Sequence, residues 1–187
     1  NGNLLKRSRE QSKLKYDAIL DSFDTLQYHA TGMGPADLDL GFAKLLERGT
    51  MQSASEGGEA VNTFLSANVV ILDPDSGVPQ RTKSFEVNGV KIGVTSIIGE
   101  TVKRNMLQSS SDEIKVLPVA ETLPEAVKEL EEAGNDINIL MSFSESDESK
   151  QLGEQFPIFN VILSAKGPED PDPREIPNGE QVPRRAS

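Results

Sequence analysis

The chain has no cysteine and no tryptophan, one histidine among 187 residues, and aromatics at only 5% of its composition. Without cysteine there is no disulfide, no thiolate nucleophile, no thiolate zinc site and no haem attachment. Hydrolytic zinc, manganese or iron sites draw on several imidazoles, and His29 is the sole imidazole available. An excess of basic residues is also lacking. Thirty acidic side chains against nineteen Lys and Arg leave a formal charge of −11, which argues against nucleic acid and anionic membrane surfaces as partners. No apolar run approaches the roughly 20 residues that span a bilayer, so no membrane insertion is expected. The sequence begins at Asn1 without methionine or a signal-peptide pattern, as a processed product or an excised piece would.

The length suits one domain with a sizeable core. Residues 8–27 predict an amphipathic helix, with a capping box of Ser8 and Gln11 and with Leu14, Ala18, Ile19, Phe23 and Leu26 on one side. A short strand over 28–31 leads into a Gly-Met-Gly-Pro turn. Leu38, Phe42, Leu45 and Leu46 then form a helical stripe that Gly49 closes. Residues 50–58 read as a loop, 59–65 as a short helix and 67–72 as a strand, followed by a turn at Asp73-Pro74-Asp75-Ser76-Gly77.

The clearest local signal is Asn88-Gly89 between two runs rich in Val, Ile and Phe, the pattern of a type I′ hairpin. Its second run continues to Ile98 and looks buried on both faces, like a central strand. Residues 108–116 read as a polar loop. A capping box at Thr122 and Glu125 predicts a helix with Ala126, Val127 and Leu130 inward and Gly134 as its stop. A strand at 136–142, a short polar helix at 146–155 and a strand at 157–164 complete a parallel crossover pattern. The domain is expected to cover 1–166, with 167–187 an extended Pro-rich segment.

In this order and spacing, the chain resembles the calcineurin-like metallophosphoesterases, particularly the branch of bacterial periplasmic nucleotidases and UDP-sugar hydrolases. Tyr28-His29-Ala30 leading to Gly34 and Asp37-Leu38-Asp39-Leu40-Gly41 is similar to the signature "YDA…GNHEFD.G". The run from Phe64 to Val69, the hairpin 85–94, and the segment 125–163 are similar to the family's later strands and helices. The resemblance implies an α/β, layered β-sandwich flanked by helices, with the family's first strand missing. It also implies a location in the periplasm or outside the cell.

Measured against that family, the residues that carry chemistry are replaced. The signature's Asn, a metal ligand, and His, a catalytic acid, correspond to Pro35 and Ala36, while the following acid is kept as Asp37. The histidine ending the family's "ILLSH" strand corresponds to Phe143. Its closing "GGHSH" corresponds to 164–168, where Lys166 and Pro168 stand for the histidines, and the aspartate of a "GD" motif corresponds to Asn3. No metal, cofactor or catalytic residue is therefore assigned.

Of the remaining groups, His29 reads as a structural or surface residue, and Asp37 reads as a helix cap ahead of an acid–base group. Ser144, Ser146 and Ser149, between Glu145, Asp147 and Glu148, read as an acidic solvated cap. Three functions stay open. The first is a non-catalytic structural or interaction module, its partner another protein or other domains of a larger chain. The second is a phosphate-ester hydrolase using Asp37 and Asp39 as replacement ligands. The third is a metal-free binder in which Lys166 meets an anion.

Overall fold

A computed structural model describes residues 10–38, 45, 63–73, 78–106 and 113–165. The elements are α1 (Glu10–Thr25), β1 (Ala30–Gly32), α2 (Pro35–Leu38), β2 (Thr63–Leu65), β3 (Val69–Ile71), β4 (Thr82–Val87), β5 (Val90–Ile98), α3 (Glu100–Asn105), β6 (Ile114–Val116), α4 (Val119–Ala133), β7 (Ile137–Phe143), α5 (Ser146–Gln155) and β8 (Val161–Ser164).

The principal sheet has the order β4-β5-β7-β8. β4 and β5 are antiparallel, joined at Asn88 and Gly89, whose φ angles of 53° and 82° are those a type I′ turn demands. β5–β7 and β7–β8 are parallel, as the crossover pattern requires. β5 is buried from Gly93 to Ile98, which fits a run of β-branched residues with no polar alternation. Side chains alternate across the sheet, so Ile97 and Leu140 join a core with Val119, Leu123, Ala126 and Leu130 of α4 and Leu152 of α5. On the opposite face Ile98 and Phe143 meet Tyr16, Met33, Phe64, Val69, Ile71 and Val102. Two small sheets lie on this second side: β1 parallel to β2, and β3 antiparallel to β6. This is the mixed, layered α/β architecture expected.

Several local expectations are corrected. Among the described side chains of α1, Tyr16 is fully buried, stacked on Phe64 with ring centroids 6.3 Å apart, and the expected Phe23 packs against the same core, whereas Leu14 and Leu26 are exposed. Two apolar stripes compete on this helix, and the one carrying the aromatic buries more surface. The capping box of Ser8 and Gln11 lies outside the described side chains, and the 42–49 stripe is described only at Leu45, which is helical and buried. β1 begins two residues later than the 28–31 strand. Residues 63–65 are a strand rather than the end of a helix, because Phe64 and Leu65 are drawn into the core beside β1. The 67–72 segment is a strand, but it pairs with β6, within the expected 108–116 loop, and stays out of the principal sheet. The residues before β8, 157–160, are turn and irregular backbone.

α4 starts three residues before Thr122, and Pro124 sits inside it. Here Thr122 Oγ1 donates back to the Pro118 carbonyl at 3.1 Å, a helix-interior bond rather than a cap. The earlier start buries Val119 and Leu123 and receives Glu100 Oε1 as the acceptor of the Val119 N–H at 2.8 Å. Gly134 ends the helix at φ 63°, as the sequence indicates.

Asn68 ties the layers together. Its Nδ2 donates to the carbonyls of Ile98 at 2.8 Å and Leu117 at 3.2 Å, and its Oδ1 accepts the Ile98 N–H at 3.0 Å. The residue is fully buried. Asn68→Ala leaves those backbone groups without partners. Each such buried group costs about 1–3 kcal/mol, so urea denaturation should show at least about 2 kcal/mol of lost stability.

Candidate functional site

Of the residues singled out by the resemblance, Pro35, Ala36 and Asp37 follow β1 and Phe143 ends β7, at the end of the fold where β5 and β8 also finish. Ligands of open α/β sheets bind at such carboxyl ends. There a cavity of about 50 Å³ is lined by Gly32, Met33, Ser96, Phe143, Leu163 and Ser164, among others. A volume of this size admits a few water molecules.

The close approach of β1 to the principal sheet keeps this end tight. A Cβ on Gly32 would lie 3.0 Å from Ser96 Cβ and 3.5 Å from Met141 Cβ, so only glycine fits without displacement. Ser96, buried, donates from Oγ to the Leu65 carbonyl at 2.5 Å and fixes the two layers against each other.

The individual positions then read as follows. Pro35 opens α2 and is half-buried, a position where proline's missing N–H is harmless. Ala36 and Phe143 both pack against the core cluster around Ile98 and Val102. Asp37 is fully buried, and its Oδ2 accepts the Gly34 N–H at 2.8 Å while its own N–H bonds the Gly34 carbonyl at 3.0 Å. That reciprocal pair is one half of a capping box, in which an acid in the first turn reaches back to the residue before the helix. Asn3, Asp39, Lys166 and Pro168 lie outside the described residues.

His29 is exposed and stacks on Phe85, ring centroids 4.3 Å apart, away from the cavity. The expected acidic cap at 144–149 is corrected. Ser144 and Ser149 are buried and form a hydroxyl cluster with Ser142, at 2.7 Å from Ser142 Oγ to Ser144 Oγ and 2.8 Å from Ser144 Oγ to Ser149 Oγ. Ser164 Oγ donates to the Ser144 carbonyl at 3.3 Å. Glu148 turns inward, its Oε1 accepting the Glu100 N–H at the start of α3 at 2.6 Å. Sequence reasoning missed this cluster. The one available signal was the spacing of Ser142, Ser144 and Ser149 across a strand end and the following helix start.

The two-metal centre of metallophosphoesterases needs several anionic or imidazole ligands to offset ionic repulsion and desolvation. Pro35, Ala36 and Phe143 supply no donor atom, and the one acid between them is committed to the α2 cap. Among the described residues no three His, Cys, Asp or Glu side chains stand where they could hold one metal ion. The described residues at this end do not supply that set of ligands.

Solved structures with similar architecture include nucleotidases and a calcineurin-like phosphoesterase. The 5'-nucleotidase precursor of Thermus thermophilus superposes with a TM-score of 0.63 at 20% identity, over 80% of this chain and 28% of that one. The NAD nucleotidase of Haemophilus influenzae gives 0.57 at 21% identity, over 80% and 25%. A calcineurin-like phosphoesterase of Bacillus subtilis gives 0.59 at 17%, over 78% and 47%. The fold is thus metallophosphoesterase-like, and this chain spans less than half the length of each of these proteins. No family model matches the sequence, and no curated protein matches it.

Asp37→Ala should destabilise the domain by about 0.5–2 kcal/mol, and Asp37→Glu should lose less, because a glutamate at this position of a capping box also reaches back to the N–H before the helix. Chemical denaturation of both variants checks this.

Proposed function

We propose that the chain is a non-catalytic domain of metallophosphoesterase fold, acting as a structural or interaction module within a larger protein or assembly. The observation that supports this reading is the composition of the strand ends: Pro35, Ala36 and Phe143, which the sequence resemblance matches to ligand or catalytic positions, carry no donor side chain, and Phe143 lines the cavity of about 50 Å³ with Ser96, Ser142, Ser164 and apolar side chains. A phosphoryl-transfer site works by placing cations against the equatorial oxygens of phosphate, and this end offers none among the described residues. The serine hydroxyls there bond one another and backbone carbonyls, and no base among the described residues activates them.

The sequence resemblance to periplasmic nucleotidases supports a place in the periplasm or outside the cell. Among the described residues no helix is long and apolar enough to cross a membrane. The partner on this reading is another protein, or the remaining domains of a longer polypeptide.

The second reading, a phosphate-ester hydrolase with rearranged ligands, separates from the first in one assay. With p-nitrophenyl phosphate and millimolar manganese, the wild-type chain and Phe143→His should both show no metal-dependent turnover above buffer, since one imidazole leaves Pro35 and Ala36 as they are. Robust manganese-dependent hydrolysis by either would establish the enzyme reading. In parallel, a metal that binds the folded state raises the melting temperature by mass action, so millimolar manganese should leave the melting curve within about 1 °C of its position without metal.

A further inference from the structure

Asn88-Gly89, at the tip of the β4–β5 hairpin, is also a reactive pair. Where glycine follows asparagine, no side chain shields the glycine nitrogen, and in an open chain that nitrogen attacks the asparagine carboxamide. A bond forms between Gly89 N and Asn88 Cγ, the Cγ–Nδ2 bond breaks, and the amide proton of Gly89 leaves on the departing ammonia. Water then opens the cyclic imide at either carbonyl, giving aspartate or isoaspartate. Water is the one co-reactant, and nothing is oxidised or reduced. Asn88 and Gly89 are both exposed, and nothing lies within 4 Å of a Cβ placed on Gly89, so solvent and space are at hand.

The backbone opposes the first step. Asn88 and Gly89 have φ angles of 53° and 82°, the left-handed pair of a type I′ turn. With ψ of Asn88 near the left-handed value of about +47°, Gly89 N lies across the Cα–C bond on the side opposite to Cβ. Cγ is then out of its bonding reach whatever the side-chain rotamer. Ring closure needs Cβ and that nitrogen eclipsed, a rotation of nearly half a turn. A two-residue turn cannot rotate so far while its strands stay paired. Here Val87 is opposite Val90, Glu86 opposite Lys91 and Phe85 opposite Ile92, and Phe85 is held further by its stack on His29 at 4.3 Å.

We propose that Asn88 is a deamidation site gated by its own hairpin, closed while β4 and β5 are paired and hydrolysed by water when the tip opens. The rate in the folded protein is then the open-chain rate multiplied by the fraction of molecules with an open tip. Conversion to isoaspartate makes the opening permanent. The main chain then runs through Cβ and Cγ and gains one atom, so a two-residue turn no longer closes in the Val87–Val90 register. Among the described residues β4 has β5 as its one neighbour in the principal sheet, so no second strand holds the converted tip in place. Aspartate, the other product, fits the same turn and adds a negative charge.

The test follows the peptide that contains Asn88 by mass spectrometry, through the mass gained when an amide becomes an acid, with chromatography separating isoaspartate from aspartate. The folded chain is compared, in mildly alkaline buffer, with the same chain unfolded in urea. A synthetic peptide of residues 86–91, too short to hold a hairpin, corrects for the effect of urea on the chemistry. The folded chain should convert Asn88 at least about tenfold more slowly than the unfolded chain and the peptide, as a tip open in fewer than about one molecule in ten requires. Phe85→Ala removes the ring stack and a cross-strand pair while leaving the turn residues in place. It should raise the folded-state rate by about threefold or more. Equal rates in the folded and unfolded chains would overturn the proposal. So would a Phe85→Ala domain that stays folded by circular dichroism and converts no faster than the wild type.

Discussion

The fold depends on the burial of β5 from both sides. Val94, Ser96 and Ile98 point into one layer and Thr95 and Ile97 into the other, and all five are buried. A strand in that position cannot slip by one residue without exchanging its whole core set between faces, so it fixes the register of β4 and β7 beside it. Its last residue is held by both ends of the Asn68 side chain, and Ala67 donates its N–H to the Ser96 carbonyl at 2.7 Å. The chain segments after β2 and before α4 are thereby fastened to the end of β5. The candidate site lies at that same end, so its shape is a consequence of core packing.

Pro35 and Ala36 follow a turn whose backbone is held by Asp37, and Phe143 is the last residue of β7, directly beside Ile98. Ala36 and Phe143 pack against the core around Val102 and Tyr16. Polar side chains in their place would need partners or ions to offset desolvation. The hydroxyls of Ser142, Ser144 and Ser149 bond one another beside this end.

Much of the principal sheet was legible from local chemistry. Asn88-Gly89 announced its hairpin, the unbroken apolar run after it announced a two-sided strand, and Gly134 announced the end of α4. What was not legible was set by distant partners. Tyr16 displaced Leu14 as the inward residue because Phe64 lies opposite it. α3 went unseen, and its start is supported by Glu148, 48 residues away in sequence. β6 looked like a loop because a three-residue strand carries one alternation, and only pairing with β3 makes it a strand. At the site, residue types at Pro35, Ala36 and Phe143 could be read directly. The burial of the serine cluster could not, since interleaved serines and acids look alike on a solvated helix cap and at a packed strand end.

The central proposal is that the metallophosphoesterase-like fold is present here without metal chemistry. Elemental analysis of protein purified without chelators tests it most directly. The account predicts well under one equivalent of manganese, zinc, iron or nickel per chain. A stoichiometric transition metal that survives dialysis against chelator would contradict it.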